Sequence, residues 1–176
     1  MVGFCRPNGT GAGGRLYHRG VNYELFMGEA LAEAQFALDE GEPPCAAVAV
    51  VDEAMVARAR DRVRETGDPT AHAVMGAIRE AARRLGRDRL ADVTIFTTLE
   101  PCPMCVGALL QADVETLVFA APDLENGAAG SAVQLAQSAG LPRRLRVVSG
   151  IRREEVEELG RRALARASAL GRAADS

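Results

Sequence analysis

The chain has 176 residues and a formal charge of −3, with 48% hydrophobic residues and only 4% aromatic. That composition fits one domain with a core built from Ala, Val and Leu, and the slight acidity argues against non-specific nucleic-acid binding across the whole surface. All its basic residues are Arg, which excludes Schiff-base catalysis by a lysine, and no apolar run reaches membrane-spanning length.

Residues 1–21 are Gly-rich and lack a hydrophobic period, which predicts a flexible tail ahead of one domain over 22–176. Gly9 to Gly14 match the spacing G-x-G-x-x-G, but no strand precedes them and no helix follows, so they are read as tail and not as a phosphate cradle. His18 is read as solvated. Without a signal-peptide apolar core at the N-terminus, the expected compartment is the reducing cytoplasm, and no Cys5–Cys45 disulfide is expected there.

From Tyr23 the apolar positions Phe26, Met27, Ala30, Leu31, Ala34 and Leu38 recur at helical spacing, and Gly41 and Pro43-Pro44 stop that helix. Cys45 to Val51 is a short apolar run, as in a strand buried on both faces, and Asp52-Glu53 turns it into a second strand near Met55 to Ala59. Residues 60–67 are charged and aperiodic, hence a loop. Asp68 and Pro69 suit the cap and first position of a helix that Gly86 ends. Asp92 to Thr98 predicts a strand, Pro103 to Gln111 a helix, and Glu115 to Ala121 another strand. A turn-rich loop over Asp123 to Ser131 precedes a short helix ending at Gly140. A strand over Leu145 to Ser149 and a charged helix from Arg152 complete the chain. Alternating strands and helices after an opening hairpin imply an α/β fold, a three-layer α/β/α sandwich on a mixed sheet.

Two stretches carry the chemistry: Asp68-Pro69-Thr70-Ala71-His72-Ala73-Val74-Met75 and Thr98-Leu99-Glu100-Pro101-Cys102-Pro103-Met104-Cys105. Pro-Cys-x-x-Cys at a helix start puts two sulfurs on one face, three residues apart. A thioredoxin-like redox pair or a structural zinc site shares that spacing, but the second needs a fourth protein ligand and none is apparent. His72, Cys102 and Cys105 together form the donor set of a zinc site with an open fourth position.

These stretches resemble the cytidine/deoxycytidylate deaminase superfamily, most closely its branch of tRNA adenosine deaminases and guanine deaminases, whose signature is His-x-Glu followed by Pro-Cys-x-x-Cys. The resemblance runs from about Tyr23 to about Leu159 and implies a five-stranded mixed sheet, a Zn²⁺ cofactor and a dimer or larger assembly. It also implies a nucleobase-like ligand beside Ala73, Pro101 and Asp61. Asp61 stands where relatives carry an Asn that both donates to and accepts from the base, whereas an ionised Asp only accepts.

One position departs from the pattern. The general acid/base Glu, which moves protons without touching the metal, is replaced by Val74. Such proton transfer is worth about 10²–10⁴-fold, so ordinary hydrolytic deamination is expected to be impaired or altered. Three readings follow: a hydrolase in which another acid substitutes, Glu100 being nearest in sequence; a non-catalytic, zinc-bearing partner in a heteromer with an active deaminase; or different zinc-site chemistry on a small amidine-like metabolite. In the family, Glu100 belongs to the common structural Thr-Leu-Glu-Pro-Cys run. His-Ala-Val-Met is the form taken in the inactive subunit of the eukaryotic heteromeric tRNA wobble-adenosine deaminase. The C-terminal arginines alternate with Glu like a solvated helix face, and no aromatic residues are interleaved with them, so tRNA is not the favoured partner.

Overall fold

The computed structural model describes residues 21–174, the stretch 170–174 as helical backbone alone. Cys5, the Gly9–Gly14 motif and His18 lie outside the described residues. The elements run α1 (Tyr23–Asp39), β1 (Ala46–Val51), β2 (Ala54–Arg60), α2 (Val63–Thr66), α3 (Ala73–Leu85), β3 (Thr94–Leu99), α4 (Pro103–Gln111), β4 (Thr116–Ala121), β5 (Arg146–Ser149) and α5 (Arg153–Ala174).

The strands form one five-stranded sheet in the order β2-β1-β3-β4-β5. β1 pairs antiparallel with β2 and with β3, while β3–β4 and β4–β5 are parallel, which makes the sheet mixed. Side chains alternate across it as strand geometry requires. Ala47, Ala49, Ile95, Leu117 and Phe119 pack with α3 and α4 on one face. Val48, Val50, Phe96, Val118 and Ala120 pack with Phe26, Met27 and Val156 of α1 and α5 on the other. Small residues dominate β1, an interior strand between β2 and β3 that packs α3 on one face and α1 on the other. No helix among the described residues is long and apolar enough to cross a membrane.

The β1–β2 hairpin closes through Asp52 (φ 46°) and Glu53 (φ 64°), the left-handed pair a two-residue turn demands. α1 is capped by the Asn22 side chain, which accepts from the Leu25 N–H at 3.0 Å.

The structure corrects three sequence-based expectations. Residues 60–67 contain the end of β2 and the short helix α2, whose start is held by the buried carboxylate of Glu42, accepting from the N–H groups of Arg64 and Glu65. That partner is more than twenty residues away, so no local pattern announces it. Asp68 does cap, but it caps a turn: it accepts from the Thr70 N–H at 2.8 Å and from its hydroxyl, and the helix begins only at Ala73. The segment before Gly140 is not helical either. The Leu135 and Ala136 N–H groups both go to the Ala128 carbonyl, and Leu145 bonds back to Ala136, so tertiary partners outcompete the helical ladder.

Candidate metal centre and its cavity

His72 and Cys102 occupy equivalent places: each is the extended residue immediately before a helix, α3 and α4 respectively. Neither side chain caps its own helix, which leaves both free to face each other. Cys105 follows on the first turn of α4, buried, with Pro103 pre-set for the helix between the two sulfurs. The His72 Nδ1 atom lies 3.6 Å from Cys102 Sγ and 3.6 Å from Cys105 Sγ. Zinc–nitrogen and zinc–sulfur bond lengths put tetrahedral N and S ligands about 3.6 Å apart, so the three donors stand at the spacing of a zinc coordination shell. They are the one group of three or more such donors close enough to share an ion among the described residues.

The sulfurs behave as a pair. The Cys102 thiol is lowered to about 5, first because Cys105 donates a hydrogen bond to it and then through its backbone bond and His72. Cys105, which donates, is pushed up.

The donors open into a cavity of about 220 Å³ that also touches Asp61, Ala73, Val74, Glu100 and Pro101, so every site residue read from the sequence lines one space. Asp61 caps α3 from a distance: its Oδ1 accepts the Ala73 N–H at 2.6 Å, satisfying a helix-start donor that His72 cannot. Burial pushes the Asp61 carboxyl up, opposed by that hydrogen bond and by His72. Glu100 is 2% exposed, and its oxygens accept from the N–H groups of Asp123 (3.2 Å), Ala129 (2.8 Å) and Ser131 (3.1 Å) and from the Ser131 hydroxyl. A Cβ on Gly127 would come within 2.5 Å of the Glu100 carboxyl carbon, so only glycine lets this loop close down. Val74 is 4% exposed, two residues along α3 from His72, and presents only methyl groups to the cavity.

Cys45, Thr97, Asp123 and Asn126 also line the cavity, and the sequence reading did not pick them out. Cys45 directly precedes β1 and Thr97 lies within β3, and the facing of both depends on strand register. Asp123 and Asn126 belong to a loop that Glu100 folds over the site. Burial pushes the Cys45 thiol up, with Asp61 and Asp123 adding to the shift.

Residues 21–121 match the cytidine and deoxycytidylate deaminase zinc-binding region. The chain belongs to that family. Its donor set and their spacing fit the family's zinc. Over 133 residues the chain is 44% identical to a tRNA-specific adenosine deaminase of Bacillus subtilis, covering 75% of this chain and 82% of that protein. Over 112 residues it is 53% identical to the chloroplastic tRNA(adenine(34)) deaminase of Arabidopsis thaliana, covering 64% of this chain but only 9% of that much longer protein. Among solved structures, one from work on A-to-I editing by tRNA:A34 deaminases superposes with a TM-score of 0.74 at 38% identity, covering 77% of this chain and 98% of the other. Guanine deaminase from Bacillus subtilis superposes at 0.56 and 39% identity, over 58% of this chain and 66% of the other.

Proposed function

We propose that the chain is a zinc-bearing, nucleobase-binding member of the deaminase family whose hydrolytic step is disabled at Val74. The observation that carries this reading is the side chain of Val74, buried against the same cavity as His72, Cys102 and Cys105 and without a proton acceptor. Zinc bound by those donors supplies Lewis acidity toward a water. In the family a carboxylate at the position of Val74 would take a proton from such a water, pass it to the ring and protonate the departing amine, and this chain has no such group there.

The remaining carboxylates have other work. Asp61 Oδ1 holds the start of α3, both Glu100 oxygens hold the loop, and Asp123 Oδ1 accepts from the Glu125 and Asn126 N–H groups. With the proton carrier gone, the expected deficit lies at or beyond the top of the roughly 10²–10⁴-fold range of general acid/base catalysis. The ligand class is an amino-substituted purine, by analogy with relatives named for adenine in tRNA and for guanine.

A second reading, a non-catalytic partner of an intact deaminase, is favoured by an apolar groove of about 260 Å³ beside α4, lined by Leu110, Leu135, Leu141 and Pro142. Co-purification with a His-x-Glu homologue would support it.

The test titrates the zinc-loaded full chain with adenine, guanine, cytosine and their nucleosides by calorimetry while ammonia is followed. The reading predicts that at least one purine binds and that no ammonia appears above background. Ammonia released at the pace of an intact family member ends the disabled-enzyme reading, and failure of every base and nucleoside to bind ends the nucleobase reading.

A further inference from the structure

The metal cavity offers a ligand more hydrogen-bond acceptors than donors. Asp61, Glu100 and Asp123 line it, no arginine among the described residues does, and the chain has no lysine. Glu100 is fully occupied, because backbone N–H groups and the Ser131 hydroxyl take both of its oxygens. Asp61 and Asp123 are each only half occupied. Asp61 Oδ1 accepts from the Ala73 N–H at 2.6 Å, and its other oxygen has no hydrogen-bond partner among the described residues. Asp123 Oδ1 accepts from the N–H groups of Glu125 (3.0 Å) and Asn126 (2.9 Å), and its other oxygen likewise has none. Thr97 gives its hydroxyl proton to the Leu99 carbonyl at 3.1 Å, which leaves it lone pairs alone to offer.

The balance of charge runs the same way. A zinc ion held by two thiolates and a neutral imidazole carries no net charge, so the acids leave the cavity negative. Burial and both of these aspartates push the Cys45 thiol up, which keeps that group neutral. Asp61 is 8% exposed, and a carboxylate withdrawn from water is costly until a cation that donates to it takes the water's place. Ala73, Val74, Leu99 and Pro101 supply apolar walls suited to a flat ring.

We propose that Asp61 and Asp123 set the charge of the ligand: the cavity takes a planar amidinium- or guanidinium-type cation in preference to a neutral ring amine. The edge of such a cation carries N–H donors only, and charge-assisted bonds from it meet the two free carboxylate oxygens. An adenine edge alternates a donor with a ring-nitrogen acceptor and would set one lone pair against another. The inference rests on the proposed function for the cavity being a ligand site, and on these two aspartates alone for the ligand's charge.

The zinc-loaded full chain is titrated by calorimetry with benzamidine, benzamide and adenine. Benzamidine is a flat cation with N–H groups on both nitrogens; benzamide has its shape, no charge, and an oxygen in place of one nitrogen. Native protein is expected to bind benzamidine about tenfold or more tighter than benzamide. Asp61→Asn keeps an oxygen for the Ala73 N–H and removes the charge, so zinc content holds while most of that preference goes. Asp123→Asn, made separately, lowers the preference in the same direction and serves if the first variant does not fold. Equal affinity of the native protein for benzamidine and benzamide, or no binding of either, overturns the proposal. A preference that persists undiminished in both variants also overturns it. Benzamidine bound in an Asp61-dependent way, with no purine base or nucleoside bound, leaves the charge assignment standing and ends the nucleobase reading. Purines bound without any preference for benzamidine over benzamide do the reverse.

Discussion

Two walls of the same cavity have been built to different standards. On one, His72, Cys102 and Cys105 stand at coordination spacing, each fixed by the start of a helix and backed by Asp61 and Glu100, which satisfy the backbone around them. On the other, two residues along the same helix, Val74 offers only hydrocarbon. The difference teaches that holding a metal and moving a proton are separable properties. The first depends on where two helices begin, which the whole fold determines. The second depends on one atom at the end of one side chain, and the fold is indifferent to it.

The comparison breaks most completely if the metal wall is removed. Cys102→Ala should reduce metal content from about one zinc per chain to background by atomic absorption, because two donors of three do not make a structural or catalytic zinc shell. A variant that keeps its zinc would mean another residue completes the shell. Glu100→Ala tests the support behind that wall. It leaves the N–H groups of Asp123, Ala129 and Ser131 without their acceptor and should cost about 3 kcal/mol or more in urea denaturation, with the metal donors intact. An unchanged midpoint would mean that water replaces the carboxylate at no cost.

The smallest effect lies away from both walls. Hydrogen bonds from Arg83 and Arg84 lower the Glu80 carboxyl from 4.5 to about 2. A folded-state value below the unfolded one stabilises above the unfolded value and is lost as the pH falls through the folded one. Glu80→Gln should therefore change stability slightly at neutral pH and not at all below about pH 2, with the change entering between pH 4.5 and 2. Because Glu80 lies at the surface with 27% of its side chain exposed and pairs with exposed arginines, a large neutral-pH effect would contradict surface screening.

Much of this was legible in the sequence because the signals were local. Pro103 and the two cysteines fix their own helix start, the Asp52-Glu53 turn sits between apolar runs, and α3 ends at Gly86 as its left-handed conformation allows (φ 65°). What escaped was set by distant partners. Glu42 builds α2, Ala128 takes the backbone bonds of 135–136, and the true start of α3 depends on Asp61 lending a cap across eleven intervening residues. The cavity shows the same division. Its metal donors and Val74 could be named from motif spacing, whereas Cys45, Thr97, Asp123 and Asn126 arrive there only through strand register and a loop drawn down by Glu100.

The most direct test of the central claim compares the native chain with Val74→Glu, both verified to carry equal zinc, for ammonia release from purine nucleosides, nucleotides and tRNA. Restoring a carboxylate beside an intact metal site should raise the rate by about 10²-fold or more on the accepted substrate, from a native chain at background. Native protein that already releases ammonia as fast as the Val74→Glu variant would contradict the account, because some other group would then be moving the proton.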